Sequence, residues 1–269
     1  MTAVRFRDLL ASEWLRMWSL RSTPWVYLVT ALAAIGFNAG EAYDTYHYWT
    51  EKNAGSSAEQ YIRDGIPVQH AFTDNASLVF ALAVTAIGVV SIAGEYSTGR
   101  LRTTFTAVPA RRSVMLAKAA VLAGVTAVFG TVVALVSFHL TQAILGLRDV
   151  GVPIGHPGAL RTVLASALLA PVCALVGMGI GTLLRHAGTS MAGGVLVLLI
   201  APFFFSEDHH WSAVLHHALP MSAWRRLVEI PFTAEIPYPW TATGAWIVYV
   251  AWALGAVALS VTVVHRRDQ

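Results

Sequence analysis

The sequence is short of charge, of cysteine and of the common nucleotide and metal signatures. Only 12% of its 269 residues are Asp, Glu, Lys or Arg, about half the roughly 25% of a soluble domain. The single cysteine, Cys173, lies inside an apolar run, which excludes an intramolecular disulfide and a cysteine-rich metal site. There is no GxxxxGK[ST] loop, so the chain lacks that means of cradling ATP phosphates. GxGxxG, HExxH and GxSxG are absent as well, removing the usual marks of a dinucleotide site, a zinc protease and a serine hydrolase. No pair of carboxylates sits inside a long apolar stretch, where a proton or sodium relay would place them. These absences argue against an enzyme.

What the chain has is apolar length. It is 56% hydrophobic, and six stretches (22–40, 75–94, 119–147, 162–184, 186–206 and 236–265) contain no Asp, Glu, Lys or Arg. A membrane-spanning helix needs about 20 mostly apolar residues. The runs are continuous rather than alternating, unlike the strands of a membrane barrel. The expected fold is an all-α polytopic membrane protein. Its six transmembrane helices fall at about 22–40, 75–94, 119–147, 162–184, 186–206 and 241–264, in one domain covering 1–269.

Charge bias orients the chain. With an inner N-terminus and alternating spans, 12 of the 18 basic residues but only Asp8, Glu13, Glu95 and Asp268 of the acids fall inside. The positive-inside rule then predicts both termini on the cytoplasmic side. Basic residues distributed this way orient the protein in a bilayer and do not imply a nucleic-acid partner.

Residues 2–21 read as an amphipathic helix with Phe6, Leu10, Trp14 and Met17 along one face and Arg5, Asp8, Glu13 and Arg16 on the other. A basic helix of this kind lies in the membrane interface. In the outer loop 41–74, Tyr43, Tyr46, Tyr48 and Trp49 match an interfacial aromatic belt. Gly177 and Gly181 form a GxxxG pair that permits close helix approach, within one subunit or to a second copy. The outer segment 207–240 holds Trp211, Leu215, Leu219, Trp224 and Leu227 around Pro220, and is expected to form a re-entrant element before the last span. Its HHWSAVLHH run, His209 to His217, has paired histidines seven residues apart. Chelating pairs prefer a spacing of four, so a polar surface is expected there and no metal site.

The most distinctive segment is the inner loop 95–118, which with Gly94 reads GEYSTGRLRTTFTAVPARRSVMLAK. Glu95 is its only acid, placed to pair with Arg100 or Arg102 if the helix continues. Gly99 offers a break, and Arg100 to Phe105 make a short turn that is both basic and apolar. Pro109 ends it, and Arg111, Arg112 and Lys118 hold the next helix start near anionic headgroups.

This segment resembles the loop between spans two and three in permeases of the type-2, exporter-class ATP-binding-cassette transporters. Their pattern of Glu, Gly, hydrophobic, Pro, Arg and Lys is similar to Glu95, Gly99, Leu101, Pro109, Arg112 and Lys118, with Thr103 and Thr104 between. Arg100 stands where a Thr is common after the Gly. The resemblance implies a permease in a bacterial cytoplasmic membrane that pairs with a second copy or a related permease. It implies no cofactor on this chain, ATP and Mg belonging to a separate ATPase subunit. Glu95, Gly99, Arg100, Leu101, Arg102, Thr103, Thr104, Phe105, Pro109 and Arg112 would form the element that couples to that ATPase. Helix 2–21 would lie beside it. The apolar spans suit efflux of an amphiphilic or drug-like solute. A secondary transporter, or a non-transporting sensor or immunity protein, is the competing expectation.

Overall fold

A computed structural model describes residues 5–19, 21–49, 57–108, 110–205, 207, 209–229 and 238–267; for Arg102 and Arg267 the backbone alone is described. The described residues form helices and no strand. In chain order they are α1 (Phe6–Trp18), α2 (Thr23–His47), α3 (Ala58–Arg63), α4 (Ile66–His70), α5 (Asp74–Ser97), α6 (Arg100–Ala107) and α7 (Arg111–Gly146). Then follow α8 (Ala159–Leu184), α9 (Ala187–Val195), a π-helical turn (Leu196–Ile200), α10 (Ala201–Phe204), α11 (His210–His217), α12 (Pro220–Val228) and α13 (Ala242–Arg267).

Six of these segments are long and apolar enough to cross a membrane: Thr23–His47, Ile66–Ser97, Arg111–Gly146, Ala159–Leu184, Ala187–Phe204 and Ala242–Arg266. Length and composition make the chain a multi-pass membrane protein.

Local sequence sets the helix ends. Pro24 occupies the first turn of α2, where its missing N–H costs nothing. Thr73 caps α5, its Oγ1 accepting a hydrogen bond from the Ala76 N–H at 3.3 Å. At Gly99 the backbone turns left-handed, with φ of 68°, and this separates α5 from α6. Helix α7 begins at Arg111, eight residues before the charge-free run it contains. The segment linking the second and third spans is therefore shorter than the charge pattern implies. The fifth span is broken by the π-helical turn before Pro202.

Helix α8 is the hub. Within its most apolar window 78% of residues are buried, against 17% in the fifth span and 22% in the last. It reaches this burial because small residues let neighbours approach. A Cβ on Gly177 would stand 2.1 Å from the Thr85 carbonyl oxygen, and one on Gly88 would stand 1.9 Å from that of Ala174. The GxxxG face of α8 thus packs on α5 of the same chain. The outer faces of α2 and α13 carry exposed Trp25, Val29, Leu32, Ile247 and Leu254, as surfaces in contact with lipid do.

Between the fifth and last spans, α12 buries Trp224, Leu227 and Val228 in the main core. The Trp224 Nε1 donates to Ser166 Oγ at 3.1 Å, and Arg161 donates to the carbonyls of Leu227 and Glu229, each at 2.9 Å. These bonds fasten α12 to the α8 end.

Candidate functional site

One end of the bundle holds a buried ionic cluster built from α1, α5, α6 and α7. On α5 the inward stripe runs Ala81, Val84, Gly88, Ile92 and Glu95. The helical period that packs the core therefore carries Glu95 inward in the last turn. On α7 the stripe Met115, Lys118, Leu122 and Thr126 does the same for Lys118. On α1 the inward positions are Leu9 and Glu13, with Arg16 one turn on.

The charges meet at short range. Lys118 Nζ donates to Glu13 Oε2 at 2.6 Å and to Glu95 Oε1 at 2.7 Å. Arg16 Nη1 donates to Glu95 Oε1 at 3.0 Å and lies 3.1 Å from Glu13 Oε1. Arg16 Nη2 reaches Thr104 Oγ1 on α6 at 3.4 Å. Glu13, Glu95 and Lys118 are only 5–6% exposed. Two acids and two bases balance, which is what burial of charge requires. Burial acts to lower the Arg16 pKa, but the carboxylates of Glu95 and Glu13 outweigh it and hold the guanidinium above its usual value. Glu95 Oε2 is buried and accepts no hydrogen bond among the described residues.

An apolar seam closes around the cluster. Leu9 packs with Val114 and Ala117, flanked by Leu10, Phe105 and Val108. The Arg111 guanidinium lies 5.5 Å from the centre of the Phe105 ring, a cation–π distance. Four elements that are separate in sequence thereby become one packed unit.

Glu95 does not pair with Arg100. The left-handed residue Gly99 ends the helix before that register is reached, and Glu95 instead meets Arg16 of α1 and Lys118 of α7. The Arg102 side chain and Pro109 lie outside the described residues. Leu101 is 3% exposed and belongs to the main core. The outward side of α6 consists of Arg100, Thr103, Thr106 and Ala107, and Arg112 is exposed beside it. Thr104 and Phe105 are half-buried.

The apolar stripe expected on α1 divides in two. Leu10 and Met17 are half-buried, whereas Phe6 and Trp14 are about half exposed. The helix turns Glu13, not the middle of that stripe, toward the protein. The sequence pattern sets Glu13 and Arg16 on the polar face opposite the apolar stripe. Their opposite charges stand three residues apart, and Lys118 begins an apolar run 105 positions from Glu13, so only the fold joins the two signals.

The histidine segment has other uses. His217 stacks on Trp240 at 4.5 Å between ring centres and lies 3.2 Å from Glu207 Oε1. His210 packs edge-on against Tyr238. Among the described residues no three His, Cys, Asp or Glu side chains converge on a point where a metal ion could sit.

Comparison with protein-family models finds no match. Comparison with curated proteins likewise finds none.

Proposed function

We propose that this chain is the membrane-spanning subunit of an ATP-binding-cassette exporter, with both termini and the ionic cluster on the cytoplasmic side. In this reading α6 docks on a separate ATPase subunit that holds ATP and Mg. Its motion drives export of an amphiphilic solute through a pathway formed with a second permease copy. The observation that carries the proposal is the clamp of Lys118 and Arg16 on Glu95. A short helix moves the bundle only if its displacement is not lost in a flexible joint. Here α6 is tied to α1 through Arg16 and Thr104, and α1 is tied to α7 through Glu13 and Lys118. A push on α6 is therefore passed to two spans and the interfacial helix together.

A sodium- or proton-coupled carrier is favoured less. Its ionisable groups belong near the membrane midplane, whereas Glu95 and Lys118 lie at the ends of α5 and α7.

The test is co-expression with candidate ATPases, followed by purification and measurement of ATP turnover. Arg100→Glu on the outward face of α6 is expected to lose ATPase binding while the permease stays folded. Retention of both binding and turnover in Arg100→Glu and Thr103→Asp would overturn the docking assignment.

A further inference from the structure

The fifth membrane-crossing segment, Ala187–Phe204, is built in two unlike parts. The first part is docked. Ser190 and Gly194 of α9, and Leu198 just after it, are buried. Small residues bring this helix close to two neighbours. A Cβ on Gly194 would stand 2.8 Å from Thr85 Cγ2 on α5, and one on Gly193 would stand 3.0 Å from Ile180 Cγ2 on α8. The second part, α10, is a free arm. None of its residues is buried, and Phe203 and Phe204 are 83% and 77% exposed.

The backbone ladder changes between the two parts. The Ala201 N–H bonds to the Leu196 carbonyl, five residues back instead of four. Pro202 follows, with no N–H to give. An N–H at position 202 would serve the Leu198 carbonyl in an α-helical ladder or the Val197 carbonyl in a π-helical one. At about 1.5 Å per residue, these carbonyls lie about 15 Å along the segment from Ala187, where the bilayer supplies no replacement donor. The hydrogen bonds that would hold α10 in line with α9 are therefore short by one at the point where side-chain packing also stops. The next anchor lies beyond α10. Trp252 Nε1 on the last span donates to the Ala218 carbonyl at the end of α11, at 2.7 Å, and His217 stacks on Trp240. Helix α10 thus connects two held elements without being packed itself.

We propose that the π-helical turn and Pro202 form a hinge, about which α10 moves while α9 stays fixed on α5 and α8. A hinge needs a few element-terminal residues that absorb a change of backbone angle and an arm free of packing, and the fifth span has both. A regular helix with alanine or leucine at position 202 would keep every backbone bond, so the break is a departure from the cheapest way to cross a bilayer. The inference goes beyond the exporter reading and stands without it. If that reading also holds, the outer end of the bundle opens while the cytoplasmic end stays packed.

The test uses the purified full chain in phosphatidylcholine nanodiscs without any ATPase. Spin labels on introduced cysteines report two distances by pulsed EPR. One pair, Leu116→Cys with Phe204→Cys, runs from the start of α7 to the free arm. The other, Leu160→Cys with Met191→Cys, runs from the start of α8 to α9 and is the fixed reference. All four side chains are exposed, and the native Cys173 is buried. The arm pair is expected to give a broad distance distribution and the reference pair a narrow one. Pro202→Ala supplies the missing N–H and is expected to narrow the arm distribution to the width of the reference, leaving the reference unchanged. Pro202→Leu serves the same purpose if the alanine variant yields too little folded protein. Equal widths for the two pairs in the chain with Pro202, or an arm distribution that stays as broad in both variants, would overturn the proposal. The assay contains no ATPase, so its failure is distinct from failure of the docking experiment.

Discussion

Lys118 and Glu13 stand 105 positions apart in the chain and meet at 2.6 Å. The same ammonium lies 2.7 Å from Glu95, so one lysine joins the interfacial helix to the ends of two spans. Charge is rarely placed so far from solvent without consequence.

Removing the lysine leaves two buried carboxylates with Arg16 as their remaining partner. Lys118→Met is expected to destabilise the cluster by about 3–5 kcal/mol, the usual cost of breaking a buried pair. Limited proteolysis should then release α1. Adding Glu13→Gln should recover part of the loss, and a double-mutant cycle on thermal unfolding in detergent checks this. Additive effects of the two changes would show that the contact carries no coupling.

Arg100 and Leu101 are adjacent, yet they should behave in opposite ways. Leu101→Asp puts a charge into the main core and is expected to lower the yield of folded protein. Arg100 is exposed, and Arg100→Glu should leave the unfolding midpoint within a degree or two. Size-exclusion profiles and thermal scans of the two variants separate these outcomes.

Glycines on α8 and α2 give a second contrast. A Cβ on Gly177 collides with the Thr85 carbonyl oxygen, whereas nothing lies within 4 Å of one on Gly36. Gly177→Val is expected to abolish the α5–α8 contact and the folded state. Gly36→Ala is expected to be neutral or to stabilise by about 0.5–1 kcal/mol through reduced backbone freedom. Thermal unfolding of the two variants in one detergent reads both.

Acid should loosen α11. Burial lowers the His217 pKa below its usual value, against the opposing pull of Glu207, while His216 adds to the lowering. A depressed histidine pKa means that the folded state favours the neutral ring. The stability that comes from keeping this buried ring neutral is therefore complete above the ordinary histidine pKa, about 6.5, and is lost as pH falls through the lowered folded value. Amide-exchange protection factors across 210–217, corrected for the intrinsic pH dependence of exchange, should fall as pH drops below the ordinary histidine pKa, and His217→Phe should remove that dependence.

The sequence by itself determined the membrane class, the helical content and the existence of six apolar spans. Each follows from local composition: a bilayer leaves unpaired backbone groups no solvent, so a long charge-free run becomes a helix. It also marked 95–118 as unusual and Gly99 as a break, because backbone conformation at a glycine is a local matter. Tertiary structure alone decided where the charges go. Nothing local distinguishes Glu95 pairing with Arg100 from Glu95 pairing with Lys118 and Arg16. The outcome depends on which face of α5 is buried, and that face is chosen by the close approach of Gly88 and Gly177 to backbone on the facing helix.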